Sequence, residues 1–96
     1  MTGSAYRTTA VPHTDTADFD GDCAIYAVYP SAIYAHGVTN YVMVQASPLA
    51  NDSGVYPCDS TGLLLSWELL GCMVGTDHSR VLRVAGWELE EVRHVA

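Results

Sequence analysis

Apolar residues occur along the chain in short runs, separated by clusters of glycine, proline, asparagine, aspartate and serine. Residues 23–29 form an apolar and aromatic run that ends at Pro30, and residues 39–46 are rich in β-branched and aromatic side chains. Runs of this length and composition are typical of strands. Turn residues follow at 51–54 and 59–62, so the pattern predicts an antiparallel meander.

Two further features of the pattern concern shorter segments. Residues 31–36 are predicted to form a helical turn, because Ser31 is a good cap and Gly37 can end it. Residues 63–67 have the highest apolar density in the chain and end on Trp67. We therefore predict that Trp67, like Trp87, is a core residue.

The pattern changes to a helical period near the C-terminal end. Asp77 is a good N-cap, the apolar positions that follow fall on one side of a helix, and Gly86 stands where a left-handed residue ends many helices. Residues 87–90 then alternate apolar with acidic, as in a strand. The prediction is an α+β fold with a small antiparallel sheet of about four or five strands and one packed helix at 77–85.

The length and composition favour one domain. The chain has 96 residues, 49% of them hydrophobic, so residues 1–96 are expected to share a single core, with residues 1–14 either flexible or an edge strand. No secretory leader, no membrane-spanning run and an odd number of cysteines together predict a cytoplasmic protein with reduced thiols.

The charge balance constrains the partners. Eleven acidic residues oppose four arginines, which gives a formal net charge of −7. This charge repels phosphate backbones and anionic lipid, so we expect no direct binding to nucleic acid or membrane. A basic protein surface is the partner that fits, and the acidic residues cluster at 15–22 and 88–91.

The candidate chemistry is sparse. Residues 18–22 resemble the start of a calcium loop, but the sixth and twelfth positions are Cys23 and Tyr29 instead of glycine and glutamate. No Cys-x-x-Cys or His-x-x-x-His pair offers zinc ligands, and Asp77 before His78 is better explained as a helix cap. The sequence therefore predicts no catalytic residues, no metal and no cofactor.

A loose pattern runs through the last three-fifths of the chain, carried by Tyr41-Val42-Met43-Val44, Gly54-Val55-Tyr56-Pro57-Cys58-Asp59, Gly62, Trp67-Glu68-Leu69, Gly71, Gly75, Asp77-His78 and Ala85-Gly86-Trp87. Over residues 41–87 the chain resembles a group of short, mostly uncharacterised proteins of actinobacterial phages. The resemblance implies a phage or prophage origin and brings no activity. Cys58 and Cys72 depart from the pattern, so it implies no cysteine chemistry.

These observations favour a non-catalytic, acidic protein-binding module, with a phage-encoded inhibitor of a host complex, such as an anti-CRISPR protein, as one concrete form. The alternatives are an assembly protein that self-associates and a small metal- or thiol-dependent enzyme; the oligomeric state is open. Aromatic and acidic side chains suit a protein interface. The predicted partner-binding residues are Asp15, Asp18, Asp20, Asp22, Glu88, Glu90, Tyr29, Tyr34 and Tyr56.

Overall fold

A computed structural model describes residues 3–8 and 22–90, with the side chain of Asp22 outside the description. In this part of the chain a single sheet of six strands packs against one helix, which agrees with the predicted α+β class. The elements are β1 (Gly3–Arg7), β2 (Asp22–Tyr34), β3 (Gly37–Ser47), β4 (Asp52–Cys58), β5 (Gly71–Val74), α1 (His78–Ala85) and β6 (Trp87–Glu90).

The strands lie in the order β5-β4-β3-β2-β1-β6, and the sheet curls. Strands β2 to β5 form an antiparallel meander, as predicted, although the turn between β3 and β4 lies at 48–51 and not at the predicted 51–54. The predicted strand count and the predicted antiparallel direction of 87–90 were wrong, since β6 pairs parallel with β1. The reason is topological: α1 carries the chain from the β5 edge across to the opposite edge, as crossover helices do between parallel strands.

Several local predictions also need correction. Residues 31–36 do not form a helical turn, because β2 passes through Pro30 and continues to Tyr34, with a register shift between Ala27 and Ala32. Proline is tolerated in a sheet at such an irregularity. The N-terminal segment holds an inner strand instead of an edge strand, since β1 pairs with both β2 and β6.

The helix lies where the caps predicted it. The Asp77 carboxylate accepts hydrogen bonds from the backbone N–H groups of Ser79 (3.0 Å) and Arg80 (3.4 Å). Gly86 ends the helix in the left-handed region at φ 114°, and its N–H bonds back to the carbonyls of Leu82 and Arg83. Both caps satisfy backbone groups that a short helix leaves without partners.

One face of the sheet, which we call the helix face, forms the main core beneath α1. Val81 and Leu82 of the helix pack into it, together with sheet residues that are almost fully buried. Trp87 is 7% exposed and its Nε1–H donates to the Pro30 carbonyl (2.9 Å), which confirms its predicted core position. The sheet residues of this cluster are Ala5, Ala24, Tyr26, Val28, Ala32, Val42, Val44, Val55 and Trp87.

Candidate functional site

An extended segment, which we call the strap (residues 63–70), covers part of the opposite face of the sheet. It begins after a turn in which the Asp59 carboxylate accepts from the N–H of Thr61 (2.9 Å) and of Leu63 (3.0 Å). The strap then bonds to β4 at its two ends, from Leu65 N–H to the Pro57 carbonyl (2.9 Å) and from Leu70 N–H to the Val55 carbonyl (2.8 Å). Between these two bonds the strap advances from Leu65 to Leu70 while β4 advances only from Pro57 to Val55, so the middle of the strap loops out from the edge of β4.

The inward side of the strap makes a second, smaller core. Leu64 packs against the fully buried cluster of Ile25, Met43 and Cys58, and Leu70 reaches the cluster of the helix face. Ser66 and Glu68 are also half-buried. Even-numbered residues of the strap are therefore less exposed than the odd-numbered residues between them.

The outward side of the strap is apolar. Leu63 is 52% exposed, Leu65 40%, Trp67 64% and Leu69 53%. We call these four residues the ridge. Single exposed apolar residues are ordinary, whereas several on one short segment make that segment a candidate interaction surface.

The prediction that Trp67 lies in the core was wrong. The half-buried positions on either side of it are Ser66 and Glu68, and the Ser66 hydroxyl accepts from the Glu68 backbone N–H (3.1 Å). The Glu68 carboxylate accepts from the Ala35 N–H (3.0 Å) and so ties the strap to the β2–β3 turn. With this register of the strap, Trp67 points outward. Its ring is roughly perpendicular to the Tyr56 ring, and the two ring centroids are 5.6 Å apart.

A groove of about 410 Å³ lies beside Leu69, at the end of the ridge. Its wall includes Tyr56, the Asp52 carboxylate and the exposed Cys72. Partial burial, and then the charges of Asp52 and Cys72, raise the pKa of the Tyr56 hydroxyl. None of the three arginines in the described residues lines this groove, so its charge is acidic.

The tyrosines proposed for partner binding are in three different settings. Tyr56 supports Trp67 and so belongs to the candidate site. Tyr34 is half-buried at the end of β2, and its ring centroid lies 6.5 Å from that of His36. Glu68 binds the turn that follows β2. Tyr29 is exposed and lies opposite Ser4 of β1.

The proposed acidic residues do not join the ridge where the structure describes them. Glu88 and Glu90 are exposed on β6, the strand at the far edge from β5. Glu88 pairs with Arg83 at 3.1 Å, and Glu90 accepts from the Ser4 hydroxyl at 3.2 Å. Asp22 begins β2. Asp15, Asp18 and Asp20 lie outside the described residues.

The groups considered for catalysis have structural partners. Asp77 caps α1, as predicted, and the His78 ring is hydrogen-bonded through Nδ1 to the buried Tyr26 hydroxyl (2.9 Å). Burial, with the charge of Asp59, raises the pKa of Cys58 to about 12, so its nucleophilic thiolate is suppressed. Across residues 3–8 and 22–90, no three histidine, cysteine or acidic residues come together to hold a metal. No helix of the described part has the length and apolarity to cross a membrane.

The exposure of the ridge has a signal in the sequence. Residues 65–69 alternate Leu-Ser-Trp-Glu-Leu, a two-residue period that separates an apolar side from a polar one. The alternation is hard to see because Leu64 lies between Leu63 and Leu65 and makes a continuous run of three leucines. Because the polar side turns inward here, the usual rule for which side is buried gives the wrong answer.

Comparisons of the chain with protein-family models, with curated proteins and with solved structures found no match.

Proposed function

We propose that this chain is a non-catalytic protein-binding module and that the ridge is its contact surface. The observation that carries the proposal is that Leu63, Leu65, Trp67 and Leu69 are all substantially exposed on one side of the strap. Water in contact with such a strip is released when a partner covers it, which is the main favourable term in protein association.

The centre of the ridge has the features of a binding anchor. Trp67 presents a large, rigid ring, and the edge-on contact with Tyr56 limits its motion. Tryptophan and tyrosine at the centre of an interface, surrounded by smaller apolar contacts, contribute most of the binding free energy in many complexes. Leu65 and Leu69 flank Trp67 in that way.

The charge around the ridge indicates the kind of partner. Asp59 lies at the start of the strap and Asp52 lines the groove beside Leu69, while the whole chain has a net charge of −7. An apolar centre with an acidic surround complements a partner surface that is apolar at its centre and basic at its rim. Acidic attraction would mainly accelerate association, and the ridge would hold the complex together.

The biological form that we propose is an inhibitor of a host complex, encoded by a phage and acting in the host cytosol, as an anti-CRISPR protein does. The ridge lies within residues 41–87, the part that resembles actinobacterial phage proteins. An inhibitor that blocks a functional surface by covering it needs no catalytic group. This is compatible with the structural roles of Asp77, His78 and Cys58.

Self-association is the second candidate, because the same exposed ridge could be covered by another copy of the chain. A closed dimer buries one patch against itself and has a mass that is stable on dilution. Measuring mass against concentration separates the two candidates: a monomer that forms a complex with a host protein favours inhibition, and a stable closed oligomer favours assembly.

The proposal can be tested by comparing a double substitution in the ridge, Leu65→Ser with Trp67→Ser, with a matched control. Val38→Ser with Leu49→Ser removes two exposed apolar side chains outside the strap, one at the start of β3 and one in the turn between β3 and β4. Affinity capture from an extract of the host should recover the same protein with the wild type and the control, and lose it with the ridge variant. Equal recovery by both variants would contradict the proposal.

A further inference from the structure

We propose that the cleft between β5 and α1 binds an extended, acidic segment of another protein, which adds to the sheet as a seventh strand beside β5. The proposal concerns a second surface and does not depend on the ridge. It rests on three observations: the direction of the backbone groups of β5, the apolar wall that α1 supplies, and the position of the arginines.

The first observation is that β5 has an open side. It is the outer strand of the sheet, and among residues 3–8 and 22–90 it pairs with β4 alone. The Gly75 N–H bonds to the Asn51 carbonyl (2.7 Å), so in the alternating antiparallel ladder the backbone groups of Met73 also point toward β4. Those of Cys72 and Val74 therefore point away from it, at the spacing that an added strand needs.

The second observation is a cleft alongside that edge. It has a volume of about 540 Å³, and its apolar lining consists of Met73, Val74 and Val84. Val74 and Val84 are both largely exposed, one on the strand and one on the helix. A strand placed beside β5 would put alternate side chains against this wall, which is how edge-strand sites distinguish one peptide from another.

The third observation is the charge of the cleft. Arg80 and Arg83 complete its lining, although the chain as a whole is strongly acidic. Two carboxylates of α1 and β6 are already engaged, Asp77 by the helix N-terminus and Glu88 by Arg83. Asp52 lies opposite Val74 on β4, on the paired side of β5 and away from the open side. The Arg83–Glu88 pair is exposed at both ends, so it is weak and can exchange for a carboxylate of the partner.

The opposite edge of the sheet shows what a protected edge looks like in this protein. On β6 every second residue is an exposed glutamate, Glu88 and Glu90, and charge of this kind prevents strands from adding. β5 has no charged residue. An acidic segment would be repelled at β6 and attracted at β5, so the two edges select one position for it.

The probe for the test is a short synthetic peptide that alternates valine with glutamate, with a second peptide in which glutamine replaces every glutamate. Hydrogen exchange of the uniformly labelled protein should show that the Cys72 and Val74 amides exchange freely alone and become protected when the acidic peptide is added. The amides of the strap should not change. Protection in the strap with none in β5, or no protection at all, would overturn the proposal.

Substitutions separate charge from backbone pairing. Replacing both arginines, Arg80→Gln with Arg83→Gln, should weaken binding of the acidic peptide by about tenfold, whereas Glu88→Gln should strengthen it by about twofold because Arg83 is released. All three side chains are exposed, so the fold should persist. The ridge variant should bind the peptide as the wild type does. Equal affinity for the acidic and the glutamine peptides would contradict an acidic partner. So would protection of the β5 amides in the protein alone, if that protection and the mass of the protein both rise with concentration.

Discussion

The two faces of the sheet are covered in different ways. The helix face lies beneath α1, which places Val81 and Leu82 in the core and leaves Arg80 and Arg83 outside. The other face lies beneath the strap, which places Leu64 inside and leaves the ridge exposed. A helix can divide its residues into an apolar side and a polar side, and here it does so with the polar side outward. The strap divides them with the apolar side outward.

This difference separates stability from binding. Most of the apolar groups of α1 are already removed from water, and the exception is Val84, which lines the cleft beside β5. The strap, whose apolar side faces outward, gains further stability when a partner packs on the ridge. We therefore expect substitutions on the helix face to affect folding, and substitutions of the ridge to affect association.

The largest effect on folding is expected for Trp87→Ala. Its ring is buried and its Nε1–H is bonded to Pro30, so truncation leaves a cavity and a carbonyl without that donor. Loss of a large buried aromatic side chain costs about 3–5 kcal/mol. Urea denaturation measures it, and a loss below about 1 kcal/mol would show that the helix face is not the main source of stability.

The next effect comes from two glycines of neighbouring strands. A Cβ on Gly71 would lie 2.8 Å from the Ala85 Cβ and 3.0 Å from its Cα, so the backbone of α1 would have to move. A Cβ on Gly54 would meet the ends of the Leu69 and Tyr56 side chains, which can rotate away. We expect Gly71→Ala to destabilise by about 1–3 kcal/mol and Gly54→Ala by clearly less. Thermal denaturation of the pair checks this order, and the reverse order would contradict the packing described for the two faces.

The reactivity of Cys58, compared with that of Cys72, reports how readily the strap opens. Cys72 is exposed and should react with a thiol reagent at once, while Cys58 lies under the strap with a pKa of about 12. We expect Cys58 to react only through opening of the strap, and faster than global unfolding allows. Because its pKa is raised on folding, the stabilising effect of the neutral thiol is present below the pKa of an unfolded thiol and is lost as pH rises toward 12.

Reaction of Cys58 at the rate of Cys72 would contradict a closed strap. Cys58→Ala should reduce the fall in stability at alkaline pH, and an unchanged fall would assign it to other groups.

A smaller effect is expected at the start of α1. Hydrogen bonding from the Ser79 hydroxyl lowers the pKa of Asp77, and desolvation opposes it. The backbone N–H groups of Arg80 and Ser79 and the charge of Arg80 add to the lowering. A lowered pKa stabilises the fold at a pH above the pKa of an unfolded aspartate, and that stabilisation is lost as the pH falls through the folded pKa. Asp77→Asn should keep the cap and remove this acid dependence, whereas Asp77→Ala should lower Tm at neutral pH. No change in Tm with Asp77→Ala would show that the cap is dispensable.

The smallest effect on folding is expected for Trp67→Ala. The ring is mostly exposed and its main contact is the edge of Tyr56, so truncation should change the free energy of unfolding by less than about 1 kcal/mol. Urea denaturation beside Trp87→Ala provides the matched comparison. A loss equal to that of Trp87→Ala would place Trp67 in the core after all.

The sequence predicted those parts of the fold that local chemistry determines. Asp77 and Gly86 bound the helix because capping depends on neighbouring backbone groups, and a turn follows β4 at 59–62 as predicted. The turn predicted at 51–54 was misplaced, since residues 52–54 belong to β4 and the turn lies at 48–51. The parallel pairing of β6 with β1 depends on a crossover through the whole domain, which no local window contains.

The candidate site was harder to predict for the same reason. Trp67 and Trp87 both follow or begin apolar segments, and only one is buried. The strap that carries Trp67 is tied by the Glu68 carboxylate to the Ala35 N–H, in a turn far along the chain. Neither residue indicates the other in the sequence.

The central claim, that the ridge is the surface a partner covers, is tested most directly by oxidative footprinting of the two tryptophans. In the free protein Trp67 should be oxidised readily and Trp87 hardly at all, since their exposed fractions are 64% and 7%. In the complex recovered from host extract, Trp67 should become protected while Trp87 stays as it was. Oxidation of Trp67 at the same rate in the free and the bound protein would contradict the account.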